Sequence, residues 1–131
     1  MNDTLQGPGA ILLVEDEPFV AIMAQQVLEE DGFEVRAACS GADALALAGD
    51  PDARIRAAIV DFGLPDMGGD EVVRRMRDLI PALPVLVASG YGIPELRAVF
   101  SGEAITFVSK PYDGAILKDA LARLGVMSGK E

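Results

Sequence analysis

Ala57-Ala58-Ile59-Val60-Asp61-Phe62-Gly63-Leu64-Pro65-Asp66-Met67-Gly68-Gly69 runs four apolar residues into an acid and then into Gly, Pro and Gly-Gly. A continuous apolar run bounded by turn signals reads as a buried strand of a parallel sheet. Asp61 then stands at the strand's C-terminal end, where open α/β sheets place their ligand crevice. A carboxylate there is a chemical group or a helix cap. The cap reading suits Asp66 better, because Asp66 lies closer to the next helical pattern.

Working outward, the same grammar repeats. On the N-terminal side, Ala10 to Val14 is an apolar strand that meets Glu15-Asp16-Glu17-Pro18, and Pro suits the first turn of a helix. Val20, Met23, Ala24, Val27 and Leu28 follow at helical spacing, with Gly32 as a stop. Phe33 to Ala38 reads as a second strand, and Ser40 can cap a helix through Ala44, Leu45 and Ala48 that ends near Gly49-Asp50-Pro51. On the C-terminal side, Val72, Val73, Met76, Leu79 and Ile80 mark a third helix closed by Pro81. Leu83 to Ala88 is a fourth strand. A short, weakly patterned helix is expected over Ile93, Leu96, Val99 and Phe100, then a fifth strand from Ala104 to Val108. Ile116, Leu117, Ala120, Leu121 and Leu124 form the last helix, stopped by Gly125.

Strand and helix alternate five times, which predicts an α/β fold with a five-stranded parallel sheet and helices on both faces. Right-handed crossovers favour the doubly wound, flavodoxin-like order 2-1-3-4-5. The domain is expected over residues 10–125, with tails at 1–9 and 126–131.

Composition narrows the function. The chain has 131 residues, 11 basic against 21 acidic, a net charge of −10. Phosphate-backbone binding needs a basic face, so no nucleic-acid partner is expected. No apolar run approaches 18 residues and the first nine residues lack a secretory pattern, so no membrane partner and a cytoplasmic location are expected. The lone Cys39 cannot form an internal disulfide, and the absence of histidine excludes a His-based triad or metal site within the chain.

In such a sheet the strand ends share one edge. They deliver Glu15 and Asp16, Asp61, Ser89, and Ser109-Lys110-Pro111. Crowded carboxylates recruit a cation or raise one another's pKa. Without His, Mg²⁺ is the natural ion, because it binds carboxylates together with waters and phosphoryl oxygens. A phosphoryl group in transfer needs positive charge around its oxygens, which Mg²⁺ and Lys110 would supply. Ser89 would donate a hydrogen bond, and Asp61 would be the nucleophile.

Four motifs in order, Leu13-Val14-Glu15-Asp16-Glu17-Pro18, Val60-Asp61 with Leu64-Pro65-Asp66-Met67-Gly68-Gly69, Val87-Ala88-Ser89-Gly90, and Phe107-Val108-Ser109-Lys110-Pro111, resemble those of response-regulator receiver domains. The resemblance covers about Ala10 to Gly125. It implies that Asp61 accepts a phosphoryl group and that Glu15, Asp16 and Asp61 hold Mg²⁺ with the Gly63 carbonyl. Ser89 takes the place of the switch Thr or Ser, and Phe107 that of the switch aromatic. Lys110 pairs with the phosphoryl group, and Lys110-Pro111 matches a cis peptide. The partners implied are a histidine kinase or histidine phosphotransfer protein as donor. A downstream protein is implied on the face of the fourth helix, fifth strand and fifth helix. Pro84 to Gly92 is similar to a largely alphaproteobacterial motif, Pro-Phe-x-Phe-Ala-Thr-Gly-Tyr-Gly, with Val at both Phe positions and Ser for Thr.

The expectation is a two-component or phosphorelay switch rather than a metabolic enzyme, without an output domain, standing alone or belonging to a longer chain. The rivals are a receiver-like scaffold that is never phosphorylated, an Mg²⁺-dependent aspartyl-phosphate phosphatase and a flavin-binding module. The phosphatase expects a second carboxylate where Gly63 stands. The bland readings are a plain core residue for Phe107, as the lesser alternative, and a turn residue for Ser89 taken alone.

Overall fold

The computed structural model describes residues 9–90, 100 and 104–126. The first strand, β1 (Ala10–Val14), is buried at every position. Helix α1 (Pro18–Glu30) begins on Pro18, whose missing N–H costs nothing in a first turn. Strand β2 (Glu34–Ala38) leads to α2 (Gly41–Ala48), capped by the Ser40 hydroxyl, which accepts the Asp43 N–H at 3.1 Å. A 3₁₀ turn, Pro51–Ala53, enters β3 (Ile55–Asp61). Then come α3 (Gly69–Leu79), β4 (Val85–Ser89) and β5 (Ile105–Ser109). The last helix, fifth in the sequence reading, is α4 here (Gly114–Arg123). The Asp113 carboxylate caps it, accepting the Ile116 N–H at 2.9 Å. The short helix expected after β4 lies outside the described residues, apart from Phe100.

The sheet is wholly parallel, in the order β2-β1-β3-β4-β5, as alternation implied. Both faces are covered. Ile11, Leu13 and Ile59 point to one side and pack with Leu28 of α1 and Leu117 and Leu121 of α4. Leu12, Val14, Ala58 and Val60 point to the other and pack with Ala44 of α2 and Val72 and Met76 of α3. Successive strand residues alternate faces, so burial of both makes the run continuously apolar. Each fully buried Leu, Ile or Val contributes about 1.5–3 kcal/mol, so the central strands hold their register firmly.

That register builds the site. Val14 pairs with both Ala38 and Val60, Asp61 with Ala88, and Ser89 with Ser109. The strand ends are therefore level. The residues at or just beyond them, Glu15, Asp61, Ser89 and Lys110, meet along one edge.

Candidate functional site

Asp61 is the last residue of the central strand, flanked by β1 and β4, and is 6% exposed. Its Oδ1 accepts the Gly63 N–H at 3.1 Å, and its Oδ2 accepts from Lys110 Nζ at 3.2 Å. Glu15, directly after β1, is equally buried at 4%. Its Oε2 accepts the Glu17 N–H at 3.1 Å, and its Oε1 lies 3.5 Å from Lys110 Nζ. Lys110 therefore bridges two buried acids. The β4–β5 ladder carries it there, since its own N–H donates to the Ser89 carbonyl at 2.8 Å. The Lys110–Pro111 peptide is cis. Ser89 is buried at the end of β4.

Asp16 is exposed at the mouth of this group. One carboxylate oxygen each from Glu15, Asp16 and Asp61 lies within 4.8 Å of the others. Three carboxylates facing one ammonium leave an excess of negative charge.

Burial pushes the Glu15 carboxyl up to about 7. The Asp61 carboxylate adds to the rise, against the Glu17 N–H and the Lys110 charge. Burial also pushes Asp61 up, but the Gly63 N–H, a hydrogen bond from Glu15 and the Lys110 ammonium outweigh it, and Asp61 ends below its ordinary value. Lys110 loses to burial and gains more from the two acids, ending above its ordinary value. The pair is unequal: Asp61 keeps its charge and Glu15 takes the proton more readily.

The loop after Asp61 differs from the sequence reading in one respect. Asp66 is a helix cap, but of the preceding helix. Its carboxylate accepts the Gly41 N–H at 2.8 Å and the Ala42 N–H at 2.9 Å at the start of α2. The next helix, α3, begins on Gly68 with no side-chain cap. Proximity in sequence misled because the loop folds back over α2, with Met67 over Gly41. Gly69 answers another need. A Cβ there would stand 2.8 Å from Phe62 Cα, so the chain passes Phe62 only as glycine.

Phe107, half-buried on β5, packs its ring 5.8 Å from that of Phe100, which lies 6.1 Å from the Phe62 ring. The aromatic expected as a switch thus belongs to a row that ends beside the acid. The sequence reading passed over Phe62, although its place directly after Asp61 was the available signal. It also passed over Tyr112, whose signal was a polar-tipped aromatic directly after Lys110-Pro111. Tyr91 and Gly92 lie outside the described residues.

The family model of the response regulator receiver domain matches residues 11–122. The chain belongs to that family. As a receiver it is 31% identical over 112 residues to the transcriptional regulatory protein FixJ of Rhizobium meliloti, covering 85% of this chain and 54% of FixJ. It is 27% identical to the sporulation initiation phosphotransferase F of Bacillus subtilis, covering 86% of this chain and 90% of that protein. It therefore spans about half the length of FixJ and most of the phosphotransferase. Among solved structures, a response regulator receiver protein from Sinorhizobium medicae superposes with a TM-score of 0.81 at 27% identity, over 92% of this chain and 96% of that one. Receivers are signalling switches of two-component systems, and this chain carries their acidic cluster at the strand ends. No described helix is long and apolar enough to cross a membrane.

Proposed function

We propose that this receiver accepts a phosphoryl group on Asp61 from a phosphohistidine of a histidine kinase or histidine phosphotransfer protein, and that the transfer needs Mg²⁺. The observation that carries the proposal is the pairing of a buried, ionised Asp61 with Lys110 at 3.2 Å, inside a group of three carboxylates. An aspartate attacks phosphorus only as the anion, and the Lys110 charge and Gly63 N–H keep it ionised despite burial. An Asp61 oxygen forms the new bond to phosphorus as the bond to the partner's imidazole nitrogen breaks. Lys110 then pairs with the incoming phosphoryl oxygens, and Ser89 donates a hydrogen bond to them.

The residues fit the ion. Glu15, Asp16 and Asp61 offer hard oxygen donors in close array, with no His or thiolate among them, which suits Mg²⁺. These three would hold it with the Gly63 carbonyl. Bound there, the ion supplies positive charge to the transferring phosphoryl oxygens.

A protein donor agrees with the surface of α1. Phe19, on the first turn of α1 four residues after Glu15, is 84% exposed, and Ile22 follows it into solvent. Apolar side chains so placed suit a macromolecular partner. The output would pass along the row from Phe62 to Phe107, toward a downstream protein on the face that includes β5 and α4.

The test is thermal stability with Mg²⁺, with and without beryllofluoride, on wild type and Asp61→Asn. Ligands that bind only the native state raise the melting temperature by mass action. Mg²⁺ should stabilise the wild type, and beryllofluoride should add to it only when Asp61 is present. No shift from either ligand in the wild type overturns the proposal in favour of an unphosphorylated scaffold.

A further inference from the structure

Tyr112 follows the cis Lys110–Pro111 step and is 7% exposed, packed in the core layer with Leu13, Leu28 and Leu117. Its hydroxyl is fully shielded from solvent and finds no hydrogen-bond partner among the described residues. That is unusual. A buried hydroxyl without a partner loses its hydrogen bonds to water and gains nothing in exchange. Phenylalanine would fill the same space without that cost.

The surroundings suggest what the hydroxyl is for. Tyr112 lines a cavity of about 300 Å³ with Glu17, Val20, Met23, Lys110 and Pro111, between α1 and the chain leaving β5. Glu17 and Lys110 on that wall are the two groups that hold the Glu15 carboxylate. The phenol lies within the field of both buried acids: burial first, then the charges of Glu15 and Asp61, push it up to about 12. It remains a donor at every physiological pH.

We propose that the Tyr112 hydroxyl is a positioning group for Glu15, donating to the carboxylate, or to a water held on it, when the acidic cluster carries its cation. The inference rests on the Mg²⁺ reading above. Glu15 accepts from the Glu17 N–H and pairs with Lys110, while the hydroxyl has no partner among the described residues. Glu15, Asp16 and Asp61 would hold a divalent cation, which would supply positive charge to the acids in addition to that of Lys110. A buried donor on the same cavity wall as Glu17 and Lys110, the two groups that hold Glu15, would then fix its orientation without ordering a new group.

The proposal separates two effects of one conservative substitution. In Tyr112→Phe without metal, loss of an unpartnered hydroxyl should leave the melting temperature unchanged or raised. With Mg²⁺, the same variant should bind about tenfold more weakly than wild type, the value of one hydrogen bond to a charged group. A spectroscopic reading is also available, because the chain has two tyrosines, Tyr91 and Tyr112, and no tryptophan. In a Tyr91→Phe background, Mg²⁺ should shift the near-ultraviolet band of Tyr112 as its hydroxyl begins to donate. Unchanged Mg²⁺ affinity in Tyr112→Phe overturns the proposal, whether or not the band moves. If wild type itself shows no Mg²⁺-dependent stabilisation, the Mg²⁺ reading fails first and this inference falls with it.

Discussion

The two ends of the sheet solve opposite problems with the same materials. At the N-terminal end of the strands, the Arg77 guanidinium of α3 donates to the Leu83 carbonyl at 3.1 and 2.9 Å and to the Ala104 carbonyl at 3.0 Å, tying together the entries to β4 and β5. The cation meets two backbone carbonyls there, and burial only lowers its pKa from a high value, so it stays charged. At the C-terminal end, Lys110 meets Glu15 and Asp61, with Asp16 beside them, and the acids outnumber it. The first end is satisfied. The second is short of positive charge, which is the state a cation and a phosphoryl group can exploit. The Arg77 ties and the acidic cluster are thus separated by the length of five-residue strands.

Breaking each end should therefore give a different phenotype. The largest effect is expected from Lys110→Met. Phosphoryl acceptance, measured with a phosphorylated donor protein or a small phosphoramidate, should fall by about 10²–10³, the scale of losing one preorganised charge at a reacting oxygen. Stability without metal should fall as well, because two buried acids lose their counterion, and Mg²⁺ should restore part of it. In Arg77→Met the order is reversed. Two carbonyls lose a charged donor, and urea denaturation should show a loss of about 2–3 kcal/mol. Phosphoryl acceptance by the folded fraction should match wild type. An Arg77→Met protein that folds well and transfers poorly would refute the separation.

A third prediction sharpens the comparison through pH. The Glu15 carboxyl titrates near 7 in the folded protein and at its ordinary value of 4.5 when unfolded. Between those values the folded state holds the extra proton, so stability falls as pH rises through this window. The loss is at most about 3 kcal/mol and complete above pH 7. This sign is opposite to that of a salt-bridged carboxylate such as Asp61, whose lowered pKa contributes stability that is lost only in acid. Urea midpoints at pH 5 and pH 8 in EDTA should differ in wild type, and the difference should shrink in Glu15→Gln. Equal pH dependence in the two proteins would show that Glu15 is not the group responsible. Mg²⁺ should flatten the wild-type curve by compensating the charge.

The contrast also explains what was legible in the sequence. The acidic end was, because its residues sit at strand ends and a parallel sheet brings strand ends together. Apolar periodicity located the strands, and Glu15, Asp61, Ser89 and Lys110 followed. The sheet order was legible for the same reason. What escaped were contacts made across elements. Arg77 reads as one charge in an amphipathic helix, and only folding shows that it reaches back to Leu83 and Ala104. Asp66 was read as a cap for the helix that follows it, whereas its carboxylate turns back to α2. Tyr112 was passed over because periodicity treats it as core. That its hydroxyl has no partner among the described residues is visible only in three dimensions.

The satisfied end keeps a little strain, and this gives the smallest expected effect. Its turns place three non-glycine residues at positive φ: Arg54 at 53°, Ala82 at 63° and Ala104 at 63°. An L-residue with a Cβ costs about 1–2 kcal/mol in that region, whereas glycine adopts it freely. Glycine also loses more chain entropy on folding, which offsets part of the gain. Ala82 is exposed in the turn before β4, away from the acids, so Ala82→Gly removes the strain and disturbs little else. Its urea midpoint should rise by an amount corresponding to about 0.5 kcal/mol, with the Mg²⁺-dependent stabilisation unaltered. A lower midpoint would mean that the Ala82 methyl contributes packing that outweighs its backbone cost. A changed Mg²⁺ response would mean that the two ends are coupled through β3 and β4, and the separation argued from Arg77 and Lys110 would have to be abandoned.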